Sequence, residues 1–400
     1  MDLSSTVGAG SSPSRRVEAT AERLFCALRV LIGTEEKVRL KTLLHEGTDW
    51  PTLLEWAEQH GVTPHLYQTL STRCADAVPE GVLRLLKVQF DLNLRRNLCL
   101  TGELLNLLER FDAHHIPVLP IKGPALADRL YGNLALRQCV DLDLMVHQSN
   151  VLKAKEILIA RGYQPFSRLS RAQEMANLRF GIEYNFHRED WGLWVEIHWR
   201  MDSRDGYLPL DMDRLWKRCT PGVFAGRPVP HLPAEDLLQI LLVHGSRHFW
   251  QRIKWLCDIG QLLQTYREMD WDRVLEGARM PRSRGIFYSG LWLAHDLLDA
   301  PLPDAVWATL QQDSETEKAV VWMKQRLFKG PRMFRIWERP LMYLRTRRRL
   351  RDKMASCVDL ALTPTTEDVA WLSLPERLFP FYYAVRPLRL VLKHAAVRRK

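Results

Sequence analysis

Residues 121–146 read IKGPALADRLYGNLALRQCVDLDLMV. The apolar run that leads into them, IPVLPI at 116–121, closes on Lys122-Gly123, which suits a strand ending in a turn. PALADRLYG then reads as a short helix with Pro124 at its first position and Gly132 just past its end. VDLDLMV at 140–146 alternates apolar and acidic residues, the pattern of a half-buried strand. Side chains alternate across a strand. Asp141 and Asp143 therefore leave one face, while Val140, Leu142 and Leu144 leave the other.

Two carboxylates side by side repel, and Asp is a poor strand former. Their presence in an apolar strand calls for a cation between them. Mg²⁺ suits such an oxygen-rich site, because it is commonly held by one or two carboxylates plus substrate phosphates. The competing reading is an edge strand whose polar face meets water. The Lys122-Gly123 turn leads directly into a helix, so it presents backbone N–H groups and a positive helix end to an anion, with the lysine charge alongside. It can equally be an ordinary β–α turn that needs Gly123 for its backbone angles. A second alternating run, LWVEIHWR at 193–200, places Glu196 and His198 on one face and Val195, Ile197 and Trp199 on the other. If it lies beside VDLDLMV, Glu196 brings a third carboxylate to the aspartates. The core expected here comprises Val118, Leu119, Ile121, Leu142, Leu144, Val146, Val195 and Ile197.

Outward from this α/β block the pattern is helical. Apolar residues recur at three- and four-residue steps through residues 16–113, with Pro51 and Pro79 where helices should start or be separated, and again from residue 234 onward. The expected layout is a disordered tail at 1–15, a helical region at 16–113, an α/β core at 114–230, a helical domain at 231–330 and a basic helical region at 331–400. The chain carries 57 Lys and Arg against 47 Asp and Glu, a formal charge of +10. Residues 1–300 sum to zero, with 37 of each sign. From residue 324 onward 19 basic residues face 6 acidic ones, including the run RTRRRLRDK at 345–353. A nucleic-acid-binding surface along the whole chain is thereby disfavoured. Seven scattered cysteines without a C-x-x-C pair argue against a disulfide framework or zinc knuckle. The polar N-terminus lacks the apolar segment of a signal peptide, and no stretch reaches the roughly 20 apolar residues of a membrane span. A reducing, cytoplasmic setting is expected, with the tail FPFYYAVRPLRLVLKHAAVRRK a candidate for peripheral attachment to an anionic membrane. The fourteen tryptophans are expected to pack in and between helices.

A glycine-bearing strand–helix turn, then Asp-x-Asp on a strand, then an acidic residue on a later strand resembles the nucleotidyltransferase superfold of DNA polymerase β. More narrowly, residues 121–146 resemble the bacterial "uncharacterised nucleotidyltransferase" family through Lys122, Gly123, Leu130, Tyr131, Arg137, Asp141 and Asp143. LLEWAEQHGVTPHLYQTL at 53–70, EIHWR at 196–200, and the set His244, His248, Trp255 and Asp258 resemble further blocks of that family, so the likeness spans about residues 50–265. This chain departs from the wider superfold twice. It has Lys122-Gly123 where Gly-Gly or Gly-Ser is usual, and Glu196 where the third acid is usually Asp.

The resemblance implies an α+β fold, with a small mixed nucleotidyltransferase sheet of the polymerase β type between helical N- and C-terminal regions. It further implies transfer of an NMP from an NTP (ATP, CTP, GTP or UTP) to an acceptor hydroxyl or phosphate, with two Mg²⁺ ions on Asp141, Asp143 and Glu196. Lys122, Gly123 and Arg137 would meet the phosphates, Lys122 foremost, and His198, His244 and His248 complete the nucleotide-binding set. His244 and His248 share one helix face and either cap that pocket or hydrogen-bond within a helical core. The acceptor is expected to be a small molecule, sugar phosphate, glycan or peptide in preference to nucleic acid. Two alternatives remain open: phosphoryl transfer on the same fold, and a non-catalytic adaptor that binds membrane or nucleic acid through its basic tail.

Overall fold

The computed structural model describes residues 13–33, 36–201, 210–279, 283–327 and 350–397. Helices α1 (Pro13–Ile32), α2 (Lys37–His45), α3 (Trp50–His60), α4 (Thr63–Arg73) and α5 (Glu80–Ala113) come first. Pro51 lies in the first turn of α3 and Pro79 caps α5, where a missing N–H costs nothing. The α/β block follows as β1 (Val118–Pro120), α6 (Gly123–Tyr131), β2 (Asp141–Val146), α7 (Val151–Ala160), β3 (Gln164–Pro165), α8 (Arg171–Phe180), β4 (Glu183–Arg188), β5 (Leu193–His198) and α9 (Met212–Arg218), then the hairpin β6 (Thr220–Phe224) and β7 (Arg227–His231). Helices α10 (Ala234–Arg247), α11 (Ile253–Thr265), α12 (Trp271–Glu276), α13 (Arg284–Leu298), α14 (Asp304–Gln311) and α15 (Ser314–Leu327) complete the family of helices before residue 328. Three more lie at the C-terminal end: α16 (Leu350–Leu362), α17 (Thr366–Trp371) and α18 (Tyr382–Val397). The chain is thus mixed α and β, mostly helical with a small mixed sheet.

The five-stranded sheet has the order β1-β2-β5-β4-β3. Strand β2 is parallel to β5, and the other neighbouring pairs are antiparallel. In the β2–β5 register Asp141 stands beside Trp194 and Asp143 beside Glu196. Strand β1 is shorter than the run at 116–123 predicts. Pro117 and Pro120 have no N–H to give a ladder, which confines β1 to three residues at the sheet edge. The ladder is prolonged only by Ile121 N–H, which donates to the Asp143 carbonyl at 3.0 Å.

All eight expected core residues are buried. They divide between the two faces of the sheet. Val118, Leu142, Leu144, Val146, Val195 and Ile197 pack with α5 and α7 residues such as Leu104, Phe111 and Leu158. Leu119, Ile121 and Met145 join the other, larger core, built from α1, α4, α10, α11 and α13. Strand β2 is therefore covered on both sides and not half-buried, and Val140 lies outside it, exposed. The 34-residue helix α5 serves both cores: Val82 and Leu86 belong to the larger, and Leu100 through Phe111 to the smaller. Helix α1 begins at Pro13, so residues 13–15 of the expected tail are helical. The rest of that tail, and residues 345–349 of the basic run, lie outside the described residues. Among the described residues no helix is long and apolar enough to cross a membrane.

Candidate active site

The site forms where β1 hands over to α6, against the face of β2 and β5 that looks toward the larger core. Lys122 is the residue before α6, and Gly123 opens the helix with φ +66°. A side chain at Gly123 would be strained by that angle, and its Cβ would stand 3.0 Å from the Asp141 carbonyl oxygen. Glycine thus lets the turn lie directly on the first residue of β2, which fixes Lys122 over the aspartate strand. The two-residue period of β2 and β5 does the rest. Asp143 and Glu196 are register partners on one face, and His198 follows two residues on, paired with Met145 on one side and Glu183 on the other.

Asp143 is buried and receives two nitrogens on Oδ1: Lys122 Nζ at 2.6 Å and His198 Nε2 at 3.2 Å. The same His198 Nε2 lies 3.3 Å from Glu196 Oε2. His198 Nδ1 lies 3.4 Å from Glu183 Oε2, close enough for ionic attraction but outside hydrogen-bond geometry. For Asp143, Lys122 and His198 burial disfavours the charged form, and the opposite charges beside them overcome it. Burial alone would lower His198, yet its contacts with Asp143 and Glu196 raise it to about 9, so the ring is an imidazolium at neutral pH. Asp143 would rise on burial, and Lys122 and His198 instead hold it well below the usual carboxylate range. Lys122, although buried, is raised above its usual value by Asp143, Asp141 and Glu196. Asp141 is half-buried at the mouth of the site, and burial followed by the charge of Asp143 pushes it up to about 6.

His244, near the end of α10, completes the lysine's surroundings: its Nδ1 stands 3.1 Å from Lys122 Nζ. Burial and the adjacent ammonium push this ring well below its ordinary pKa, so it is neutral and accepts from Lys122. His248 caps α10, with its ring 4.8 Å from that of His244 and stacked on Trp255 at 4.9 Å. Asp258 is not on the helix of His244. The chain turns at 248–252, where Phe249 and Trp250 have positive φ, and resumes as α11.

Arg137 does not reach this cluster as the structure stands. Its Nε and Nη2 donate to the two carboxylate oxygens of Asp258 at 3.0 Å each, in a buried pair that also receives Tyr131 Oη at 3.1 Å. A lysine that sequence reasoning passed over takes the position nearer to Asp141. Lys254, in the first turn of α11, is buried, and burial and the charge of Arg137 lower its pKa to about 8 despite the pull of Asp141. Its one sequence signal is its place directly before Trp255. Glu183 was also missed, because it sits in a strand, EYNFHR, whose polar positions resemble an exposed face.

Asp143, Glu196 and His198 each offer one ligand atom, all within 4.8 Å of one another, so this set could hold a metal ion once His198 gives up its proton. With Asp141 at the mouth, the site combines hard oxygen donors with fixed positive charge, the equipment for binding a metal-bound polyphosphate.

A family model described as "Uncharacterised nucleotidyltransferase" matches residues 46–299. The match runs from just before α3 to the end of α13 and takes in every residue of the cluster above. No curated protein and no solved structure matches the chain.

Proposed function

Because the chain belongs to the uncharacterised nucleotidyltransferase family, we propose that it transfers a nucleotidyl group from an NTP to an acceptor hydroxyl or phosphate, on a polymerase β-like core and with Mg²⁺. The observation that carries this reading is the β2–β5 register, which sets Asp143 against Glu196 on the sheet face that also bears Asp141. The donor set fits the metal: Asp141, Asp143 and Glu196 present carboxylate oxygens, the ligands Mg²⁺ prefers. Bound there, the ion would offset phosphate charge and orient the reacting oxygens.

The side chains divide the remaining work. Lys122 and Lys254, whose charges both act on Asp141, supply positive charge to the phosphates. His198 holds Glu196 through Oε2 and leaves the other oxygen of this half-buried carboxylate to take the proton of an acceptor hydroxyl. His244 steadies Lys122, and His248 stacked on Trp255 forms the rim where a base would lie. Arg137 acts through Asp258, as a brace for the segment that leads into β2. The charge-neutral first 300 residues favour a small molecule, sugar phosphate, glycan or peptide as acceptor over nucleic acid.

The test supplies α- or γ-labelled NTPs with Mg²⁺ and cell extract as the acceptor source. Transfer of label from the α position is expected. Transfer from the γ position alone would assign the protein to phosphoryl transfer, and no transfer from either would favour the adaptor reading.

A further inference from the structure

Two divalent ions are expected from the resemblance, yet Asp143 already has a cation of the protein's own. We propose that the Lys122 ammonium fills one of the two cation positions, so that the nucleotide complex of this protein takes a single divalent ion. The inference rests on the nucleotidyl-transfer reading above.

Three observations carry it. First, Lys122 Nζ lies 2.6 Å from Asp143 Oδ1. A Mg²⁺ ion bonds a carboxylate oxygen at about 2.0–2.1 Å, so an ion on that same oxygen would be forced against the ammonium. Second, the lysine is held from behind as well as drawn from in front. His244 Nδ1 accepts from it at 3.1 Å, and the side chain is only 8% exposed, so it has no solvent to withdraw into. Third, its backbone is anchored. Gly123 presses the turn onto the Asp141 carbonyl, so Lys122 keeps its place relative to β2 whatever binds outside. His198 meanwhile bridges Asp143 and Glu196 on the inner side. The donors left for a divalent ion include Asp141, to which no cationic side chain is bonded among the described residues.

This gives two features a more specific task. Lysine replaces the small residue usual at the turn because its charge does the work of an ion. His244 is a positioning residue: it aims the ammonium at Asp143 and touches neither phosphate nor metal.

Native mass spectrometry counts ions directly. The full-length protein is sprayed with Mn²⁺ as the probe and an equimolar mixture of the four α,β-methylene NTPs. The wild-type nucleotide complex is expected to carry one Mn²⁺, and the complex of Lys122→Met, with a neutral side chain of similar length, two. Two ions on the wild type would overturn the assignment of Lys122, as would one ion on a folded Lys122→Met. The wild-type count stands by itself if the variant does not fold. A wild type that retains neither nucleotide nor Mn²⁺ would instead overturn the nucleotidyl-transfer reading on which the inference rests.

Discussion

Asp141 and Asp143 differ by two positions in sequence and much more in circumstance. Asp143 is buried between Lys122 and His198 and is held ionised, whereas Asp141 stands at the mouth with its pKa pushed up to about 6 by burial and its neighbour's charge. Two carboxylates whose environments pull their pKa values apart are suited to different tasks. Asp141 is the one free to meet an incoming ion, since among the described residues no cationic side chain is bonded to it. Asp141→Asn keeps the shape and removes the charge. We expect it to lower label transfer from the α position by on the order of 100-fold or more, the scale on which loss of one preorganised electrostatic group is felt. Its far-UV circular dichroism should match the parent's. An Asp141→Asn protein as active as the parent would remove this residue from the metal site.

At the scale of elements, the buried Arg137–Asp258 pair ties the segment before β2 to α11. Asn97, on α5, adds a bond from Nδ2 to the Arg137 carbonyl at 2.7 Å. Removing one member of a buried ion pair leaves the other charge unpaired, which costs about 3–5 kcal/mol, while replacing both by apolar groups is far milder. Arg137→Met and Asp258→Leu should each lower the urea midpoint strongly, and the double variant should recover much of that loss. Additive losses would mean that the two side chains do not act as a pair. This pair also marks what the sequence could and could not disclose. The Asp-x-Asp and Glu-x-His spacings are statements about one face of a strand, so the placement of Asp143 and Glu196 was legible once the two strands were taken as neighbours. Arg137 and Asp258 were both noticed, but as a phosphate ligand and as one residue of a family block. The partners are 121 residues apart, and only the packing of α11 against the α/β block brings them together. Lys122 and His244, 122 residues apart, are the same case. So are the two helical regions, separate in sequence, whose apolar stripes merge into one core because each needs the other's face to leave water.

For the whole molecule, the charge and the exposed apolar surface collect at the same end. Of the 24 large apolar side chains exposed among the described residues, 12 fall within residues 350–392. Leu350, Met354, Val358 and Leu362 recur every fourth residue and form one stripe on α16, and Leu388, Val391 and Leu392 form a second on α18. Not every cation nearby is available, since Arg386 and Arg389 are committed to Asp368. The surplus of 19 basic over 6 acidic residues from 324 onward is nevertheless far larger than those pairs consume. We propose that these apolar stripes and the basic surplus of this part of the sequence together meet an anionic lipid surface, which takes both terms at once. Deleting the end of the chain would be a poor test, because Val369, Phe379, Tyr382 and Val385 pack with Ala176 of α8, and their loss would uncover that helix. Substituting exposed positions avoids this. The full-length protein is expected to sediment with vesicles of 30% phosphatidylserine in phosphatidylcholine at about 0.1 M salt, and to be released at about 0.5 M, where the screening length falls to a few ångströms. It should not sediment with phosphatidylcholine alone. Met354→Glu, Val358→Glu and Val391→Glu together should leave it in the supernatant while preserving α-label transfer to a soluble acceptor. Sedimentation of that variant equal to the parent's would show that these stripes are not the attachment surface. Equal binding of the parent to both kinds of vesicle would show that the C-terminal charge plays no part in it.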